Sequence, residues 1–381
     1  MSDKVTRRRA IQTVGLGAVG VSAAALSESS ASAAAEKAPM GMKGEGPDTP
    51  KICLEYGNGA LAAGGNTDEE RIRRIKQLGV NYAIGAMGPT PWEESKLRAY
   101  MDKAKAGGLT IANIMFGFPY SVIAAKEGRD QAIEKVKDSI VVAGKCGLPV
   151  MEYNWYAHRA MEGYYEVPGR SGASYTGFDY AKMKDLPPLD REGAHSLEEM
   201  WTNITYFLKA VIPVAEKANV RLALHPNDPP APISRGSQQI MGSVEGWKRL
   251  IEIVPSKSNG ITFDCGVTRE MGHDPVEVCR YFQSRDRINH VHYRNVIVHK
   301  PYEKYEEVFI DEGYNNMYAV MKELVRQKYP RLVYPEHPRG IDYDREQPGF
   351  KTQYPGGGGY TAFAFNVGYA RAMLQAVLNP A

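Results

Sequence analysis

The chain has 381 residues, of which 43% are hydrophobic and 24% are charged, a balance typical of a globular protein. The formal net charge is only +3, so the sequence shows no electrostatic basis for binding nucleic acid or an anionic membrane. The length is compatible with one large α/β barrel or with two smaller domains.

The first 34 residues have the pattern of an export signal. Arginines at 7–9 precede a mildly apolar run at 10–26, and the small residues at 31–34 provide an A-x-A cleavage site. The paired arginines favour the twin-arginine route, which would export the folded protein with its metal already bound. An uncleaved membrane anchor is the alternative, although the apolar run is shorter than the ~20 residues that a span needs. We therefore expect a periplasmic or otherwise exported mature protein without a membrane span, in which residues 35–50 form a linker.

From residue 51 onward, short apolar runs alternate with segments of helical periodicity that begin at capping residues and end at glycines. The apolar runs predict strands at 52–56, 81–87, 110–116, 150–155, 220–225, 260–264, 288–295 and 331–336. The helical patterns lie at 67–78, 92–106, 130–145, 196–217, 243–253, 274–282, 316–327 and 362–378. Eight such β-then-α units, without a break in composition, predict an α/β protein built as a single (β/α)₈ TIM barrel over residues 51–381.

Residues 156–193, between the fourth predicted strand and the next helix, show no clear periodicity. A connection of this length inside a compact domain is usually functional or disordered. Five aromatic side chains argue against disorder, namely Tyr164, Tyr165, Tyr175, Phe178 and Tyr180. We therefore predict a long lid loop, following the fourth strand, over the C-terminal ends of the strands.

The sequence contains four cysteines, Cys53, Cys146, Cys265 and Cys279. They form no C-x-x-C pair, and each lies in an apolar segment. Buried free thiols are therefore expected rather than disulfides.

Four successive predicted strands, the fifth to the eighth, end in a side chain that can bind a metal ion. These side chains are His225, Asp264, His292 and Glu336. The C-terminal strand ends of a (β/α)₈ barrel carry its chemistry, so we expect the four to converge on one site. Two imidazoles and two carboxylates suit Mn²⁺, Fe²⁺, Co²⁺ or Zn²⁺ and lack the thiolates of a structural zinc site. Taken singly, each has an ordinary alternative, such as capping of the following turn by Asp264 or pairing of Glu336 with an arginine.

Strand alternation separates these candidates from their neighbours. His290 and His292 share a strand face, and His292 is nearer the strand end, so we expect His290 to lie behind the ligand. Asp264 and Cys265 point to opposite faces, so only one of them faces the barrel axis. Glu152, on the fourth strand, is a further candidate ligand.

At these residues the sequence resembles the mannonate dehydratases, metal-dependent (β/α)₈ enzymes within the wider xylose-isomerase-like group. The resemblance rests on His-Pro-Asn-Asp-Pro-Pro at 225–230, His-x-Arg-Asn-Val at 292–296 and Pro-Glu-His at 335–337. It covers most of residues 51–378. It implies a role in carbohydrate metabolism, in the catabolism of glucuronate.

The resemblance implies that His225 and His292 bind a divalent metal, Mn²⁺ or Fe²⁺. This sequence departs from the family pattern at the other two ligands. The family usually has a cysteine where Asp264 stands and an aspartate where Glu336 stands. A shift of the alignment by one residue would restore a cysteine, Cys265, but the strand-face argument favours Asp264.

The family reaction removes water from D-mannonate to give 2-keto-3-deoxy-D-gluconate. A divalent cation supplies Lewis acidity and orients the sugar acid, and a titratable side chain must protonate the departing hydroxyl. We expect His337 to be this acid, with Tyr165 or Tyr175 of the lid as the alternative.

Further polar residues near the strand ends are candidates for binding the substrate. Arg294 is placed to bind the substrate carboxylate in a bidentate contact. Asn154 and Asn295 are expected to hold hydroxyl groups, and Arg339 to bind the substrate as well. A role in turns or at the rim of the core is the alternative for the two asparagines.

Two other functions remain open on these residues. A sugar isomerase or epimerase could use the same metal on an aldose or ketose, since a ligand set of Asp, His and Glu is common in those relatives. A non-catalytic exported barrel that binds sugar would keep the ligands without turnover. The sequence also leaves the oligomeric state open, with a homo-oligomer as one alternative.

Overall fold

In the computed structural model, which describes residues 42–56, 67–352 and 354–380, strands and helices alternate along most of the chain. The strands are β1 (Lys51–Glu55), β2 (Tyr82–Ala86), β3 (Thr110–Met115), β4 (Val150–Tyr153), β5 (Tyr164–Pro168), β6 (Ser174–Asp179), β7 (Arg221–Leu224), β8 (Ile233–Ser234), β9 (Ser237–Gln238), β10 (Asn259–Asp264), β11 (Ile288–His292), β12 (Val296–Lys300), β13 (Lys304–Glu307) and β14 (Leu332–Tyr334). The helices are α1 (Asp68–Gln77), α2 (Glu94–Ala106), α3 (Tyr120–Ile123), α4 (Arg129–Cys146), α5 (Leu197–Ala218), α6 (Val244–Ile253), α7 (Cys265–Glu270), α8 (Pro275–Gln283), α9 (Met317–Arg326), α10 (Asp342–Arg345) and α11 (Tyr360–Leu378).

Eight parallel strands close into a barrel in the order β1, β2, β3, β4, β7, β10, β11 and β14, and β14 pairs back with β1. Each corresponds to one of the eight predicted strands, so the predicted (β/α)₈ barrel is confirmed. The last four strands are neighbours in the barrel wall as well as in the chain. Their C-terminal ends therefore lie side by side, as the predicted metal site requires.

The helices begin and end where the sequence provides capping residues. The Thr67 hydroxyl accepts a hydrogen bond from the Glu70 amide at 3.2 Å, and Ser196 accepts one from Glu199 at the same distance. The α5 helix ends at Asn219, whose φ of 54° lies in the left-handed region that ends helices. These caps satisfy backbone groups that the first and last turns leave unpaired.

A four-stranded antiparallel sheet, in the order β12, β13, β6 and β5, accompanies the barrel. Residues 156–193, predicted as a loop without regular structure, contain its β5–β6 hairpin, so that part of the prediction is wrong. The Tyr164, Phe178 and Tyr305 rings pack together on one face of this sheet. The pairing of β6 with β13 joins segments more than 100 residues apart, which no local pattern indicates.

The predicted export signal and residues 35–41 of the predicted linker lie outside the described residues. The rest of that linker contacts the barrel. The Ile52 amide donates to the Glu45 carboxylate at 2.9 Å, and the Lys43 amide donates to the Asn379 side chain at 2.7 Å. Residues 42–50 are therefore not a free spacer.

All four cysteines are free, and all except the half-buried Cys146 are buried, so the prediction of free thiols is confirmed. Burial raises the pKa values of the Cys53 and Cys265 thiols. Among the described residues, no helix is both long enough and apolar enough to cross a bilayer.

Candidate metal centre and active site

The four predicted ligands lie together at the C-terminal mouth of the barrel, around the Nδ1 atom of His292. This nitrogen is 3.1 Å from His225 Nε2, 3.0 Å from Glu336 Oε1 and 3.8 Å from Asp264 Oδ2. All four side chains are buried. Two nitrogen and two oxygen donors from four neighbouring strands therefore face one small volume.

These separations suit the ligands of one divalent ion. Donor atoms about 2.1 Å from an ion lie about 3.0 Å apart along an octahedral edge and about 3.4 Å apart in a tetrahedron. Two of the three separations from His292 Nδ1 are close to these values, at 3.0 and 3.1 Å. The Glu336 Oε1 atom is buried and accepts no hydrogen bond from the described residues. A bound cation would satisfy that oxygen, so the donor set fits a metal.

The contacts of both histidines leave one ring nitrogen free for the metal. The His225 Nδ1 atom is 2.7 Å from the Pro226 carbonyl oxygen, so Nδ1 carries the proton and Nε2 keeps its lone pair. The His292 Nε2 atom faces Glu152 Oε1 at 3.4 Å, which leaves Nδ1 as its ligand atom. Carbonyl and carboxylate partners of this kind orient metal-bound imidazoles. Burial and the neighbouring His292 ring lower the pKa of His225 to about 4, so it is neutral and able to ligate at neutral pH.

Glu152, the further candidate ligand, lies at the Nε2 side of His292, whereas the other three candidate ligands lie at its Nδ1 side. Its two oxygens accept hydrogen bonds from Thr262, at 2.8 Å, and Asn113, at 2.9 Å. Burial raises the pKa of Glu152 to about 8. His290 Nε2 is 3.9 Å from the same carboxylate, deeper in the barrel. The structure thus gives Glu152 and His290 positions behind His292.

Asp264 caps a helix with one carboxylate oxygen and faces the ligand cluster with the other. Its Oδ1 atom accepts a hydrogen bond from the Val267 amide at 2.8 Å and caps α7. Its Oδ2 atom faces His292 and accepts a hydrogen bond from Arg294 Nε at 3.1 Å. Burial raises the pKa of Asp264 to about 7, although Arg294 opposes this. Cys265 instead packs into the apolar core, as strand alternation predicts.

Arg294 is buried among carboxylates of the chain itself. Its Nε donates to Asp264 at 3.1 Å and its Nη1 to Glu270 at 2.7 Å. Three further carboxylates lie within 4 Å of the guanidinium, those of Asp228, Glu307 and Glu336. The predicted bidentate contact with a substrate carboxylate would compete with these five carboxylates, and Nη2 makes no hydrogen bond with the described residues. The observed contacts place its positive charge at the centre of this acidic cluster.

His337, the predicted acid, lies at the edge of the ligand cluster. Its Nδ1 is 2.8 Å from Glu307 Oε2, and its Nε2 is 3.6 Å from Glu336 Oε2. Burial lowers the pKa of His337, but the two carboxylates outweigh burial and the net shift is upward. The Tyr354 ring packs against the imidazole, with 4.8 Å between ring centroids. The position suits a residue that holds a proton beside the candidate metal ligands.

The other predicted substrate residues mostly contact the chain itself. Arg339 forms an ion pair with Glu307 at 3.0 Å. The side-chain oxygen of Asn295 accepts hydrogen bonds from the Val296 and Asn315 amides at 3.0 and 2.9 Å, so this side chain holds the loop after β11. Asn154 follows β4, and its side-chain nitrogen lies 3.7 Å from the Met115 sulfur.

The two predicted lid tyrosines do not contact the ligand cluster. The Tyr165 ring lies under the Lys182 ammonium group, 4.6 Å away, and the Tyr175 hydroxyl donates to Glu312. Their neighbour Tyr164 points the other way, and its hydroxyl donates to Asp228 at 2.7 Å. Alternation along β5 places Tyr164 and Tyr165 on opposite faces of the strand. Recognising the hairpin in the sequence would therefore have indicated Tyr164 as the tyrosine that faces Asp228.

Sequence reasoning also missed Asp228 and Glu307, which form with His337 a further group of potential ligands. Arginines already balance these two carboxylates. Arg339 lies 3.0 Å from Glu307, and Arg294 lies 3.6 Å from Asp228. This group is therefore a hydrogen-bonded ionic cluster beside the candidate metal ligands. Asp228 belongs to the His-Pro-Asn-Asp motif, which explains why that turn is acidic.

Comparisons with known proteins agree with this geometry. The family model described as D-mannonate dehydratase (UxuA) matches residues 188–377. A mannonate dehydratase of Streptococcus equi subsp. zooepidemicus is 28% identical over 321 residues, which cover 75% of this chain and 87% of that protein. One of Oceanobacillus iheyensis is 27% identical over 321 residues, covering 73% of this chain and 87% of that protein.

Solved structures show the same likeness. The crystal structure of mannonate dehydratase from Streptococcus suis serotype2 has a TM-score of 0.74 at 28% identity, covering 86% of this chain and 95% of that chain. A structure of L-ribulose 3-epimerase has a TM-score of 0.54 at 13% identity and shares the fold, covering 86% of this chain and 96% of that one. The candidate ligand groups and the family likeness together indicate a divalent metal ion.

Proposed function

Because the chain belongs to the mannonate dehydratase family, as a divergent member, we propose that it dehydrates D-mannonate to 2-keto-3-deoxy-D-gluconate. The observation that carries this proposal is the meeting of the ligand cluster with His337. The imidazole Nε2 lies 3.6 Å from the Glu336 carboxylate, which itself contacts His292 at 3.0 Å. A proton-holding group thus stands beside a site for a cation, and this dehydration needs both.

We assign His225, Asp264, His292 and Glu336 as the metal ligands, with Mn²⁺ or Fe²⁺ as the ion. The mixed nitrogen and oxygen donors suit either ion. When bound, a divalent ion supplies Lewis acidity to the carboxylate and hydroxyl oxygens of the sugar acid. The ordinary alternative for Glu336, pairing with an arginine, is also present, since its Oε1 lies 3.2 Å from Arg294 Nε. The support for a metal is therefore the convergence of all four donor side chains around His292 Nδ1.

The reaction breaks the C2–H and C3–O bonds and forms the enol of the product. A base takes the C2 proton, and the C3 oxygen leaves as water after receiving a proton. We assign His337 as the donor of that second proton, from Nε2. Tyr354, whose ring contacts His337 and whose hydroxyl accepts from Arg159, replaces Tyr165 and Tyr175 as the tyrosine of the site. The enol then becomes the 2-keto acid by losing its hydroxyl proton to solvent and gaining one at C3. The base must then release the C2 proton, and His337 must regain the proton that it gave.

Purified protein supplied with Mn²⁺ is expected to convert D-mannonate into a 2-keto-3-deoxy acid. Dialysis against EDTA is expected to lower the rate more than about 100-fold, and Mn²⁺ or Fe²⁺ to restore it, because Lewis acidity contributes several kcal/mol. Product is measured by a colorimetric assay for the keto acid, with D-gluconate, the C2 epimer, as control substrate. Absence of product with every metal tested would remove the proposal.

A sugar isomerase or epimerase is the second candidate function. The observation that favours it is the carboxylate of Asp264 facing the cluster while the Cys265 thiol is buried in the core. Such an enzyme would exchange solvent deuterium into a recovered aldose or ketose without dehydrating it. A sugar-binding barrel without turnover would show calorimetric binding of a sugar acid and no product over hours.

We also propose that residues 1–34 direct export by the twin-arginine route. The arginine pair at 7 and 8 and the following apolar run support this. Replacing Arg7 and Arg8 by lysine is expected to retain the full-length chain in the cytoplasm, because that pathway recognises the arginine pair. Immunoblots of periplasmic and cytoplasmic fractions measure the change, and Arg9→Lys serves as the matched control. Equal periplasmic amounts of the double variant and the parent chain would contradict export by this route.

A further inference from the structure

Glu307, the last residue of β13, is buried beside the proposed proton donor and has no part in the mechanism above. Its Oε2 atom is 2.8 Å from His337 Nδ1 and 3.0 Å from an Arg339 nitrogen. Its side chain is only 1% exposed. The antiparallel sheet, rather than the barrel, therefore supplies the carboxylate that contacts Nδ1 of His337.

The contact between Glu307 and His337 determines which ring nitrogen of His337 is protonated. A carboxylate that is ionised only accepts hydrogen bonds, so Nδ1 must be the protonated partner. Arg339 at 3.0 Å and Arg294 at 3.9 Å surround Glu307 with positive charge, which favours the ionised form. The other ring nitrogen, Nε2, then points toward the ligand cluster.

The backbone and one aromatic ring fix the same orientation. His337 has a φ of 45°, in the left-handed region that residues other than glycine rarely adopt. Surrounding contacts must hold such a conformation in place. The Tyr354 ring packs on the imidazole, and the Arg339 Nε donates to the His337 carbonyl at 2.9 Å. The imidazole is thus held by Glu307 at its Nδ1 edge, by Tyr354 on its face and by Arg339 at the main chain of His337.

We propose that Glu307 is a positioning residue, which orients His337 so that Nε2 meets the departing hydroxyl of the substrate. This inference rests on the proposed role of His337 as proton donor. The competing explanation is that Glu307 only ties β13 to the loop after β14 through Arg339. The two explanations differ in the protonation pattern of His337 and in the step of the reaction that a substitution slows.

The first test is independent of activity. Nitrogen NMR of protein labelled with ¹⁵N-histidine and loaded with diamagnetic Mg²⁺ reports which ring nitrogen of His337 carries a proton, with His337→Asn used to assign the signal. The expected result is a protonated Nδ1. An Nδ1 without a proton in the unsubstituted protein would overturn the inference, even if every variant failed to fold.

The second test is kinetic. Glu307→Gln is expected to lower kcat for D-mannonate about 100-fold, since a positioned general acid contributes at least that much, with KM and metal content unchanged. Glu307→Asp, which keeps the charge, should recover part of the loss. Glu306→Gln is the matched control, because Glu306 is the preceding residue and pairs with the exposed His299 at 3.1 Å.

The outcomes separate this inference from the proposed function. If the parent protein does not dehydrate D-mannonate, the proposed function fails, whereas a protonated Nδ1 still supports the Glu307–His337 pairing. If the parent is active and Glu307→Gln keeps its kcat, the inference fails and the function stands. A loss of thermal stability without a change in kcat would likewise assign Glu307 a structural role only.

Discussion

Replacing His292 by alanine is expected to abolish metal binding and to lower the rate of dehydration about 1000-fold or more. The His292 Nδ1 atom is the donor that the other three candidate ligands surround, at 3.0 to 3.8 Å. Losing it removes one ligand and leaves the remaining carboxylates without a central partner. A metal contribution of about 4 kcal/mol corresponds to a loss of about 1000-fold in rate.

The measurements are bound metal per chain, kcat/KM for D-mannonate and the circular dichroism spectrum. The barrel is expected to remain folded, because the apolar core around β11 is independent of the imidazole. His299→Ala is the matched control, since that histidine is exposed on β12 and pairs with Glu306. A His292→Ala protein with the metal content and rate of the parent would refute the assignment of this site.

The barrel and the convergence of the four candidate ligands could be predicted because both depend on local sequence patterns. Each barrel strand is a short apolar run, and each of the last four predicted strands carries His, Asp or Glu at or near its C-terminal end. The parallel order then brings those ends together without further information. Alternation along β10 also gave the correct choice between Asp264 and Cys265 as the residue that faces the cluster.

The surroundings of the cluster could not be predicted in the same way, because they depend on pairing between distant segments. The antiparallel sheet joins Tyr305 to Phe178, and its register decides that Glu307 and Tyr164 face inward. The segment that contains β5 and β6 includes several glycines, which hide its alternation. The choice of Tyr165 over Tyr164 followed from that missing register.

The partners of Arg294 could not be predicted for the same reason. Its position next to a predicted ligand suggested a substrate contact, because nothing nearby in sequence revealed its partners. Glu270 comes from α7 and Glu307 from β13, two elements that the sequence did not predict. An arginine with so many carboxylate neighbours has a role in stability that differs in measurable ways from substrate binding.

Arg294→Met is accordingly expected to lower the free energy of unfolding by about 3–5 kcal/mol, because breaking a buried ion pair leaves uncompensated buried charge. The guanidinium is 2% exposed and donates to Asp264 and Glu270 at 3.1 and 2.7 Å. Urea unfolding measures the change. Arg98→Met is the matched control, since Arg98 is 48% exposed in its pair with Glu94 and should cost no more than about 1 kcal/mol.

A substrate role for Arg294 would give the opposite pattern. If the guanidinium mainly bound the substrate carboxylate, methionine would raise KM while leaving the unfolding free energy near that of the parent. If it mainly neutralises the cluster, stability falls, and any loss of activity follows from displaced Asp264 and weaker metal binding. Titrating the variant with Mn²⁺ distinguishes the two cases. If Arg294 neutralises the cluster, saturating Mn²⁺ should recover part of the activity. If Arg294 binds the substrate, saturating Mn²⁺ should recover none of it. Since five carboxylates lie within 4 Å of this one cation, we expect stability and metal affinity to fall together.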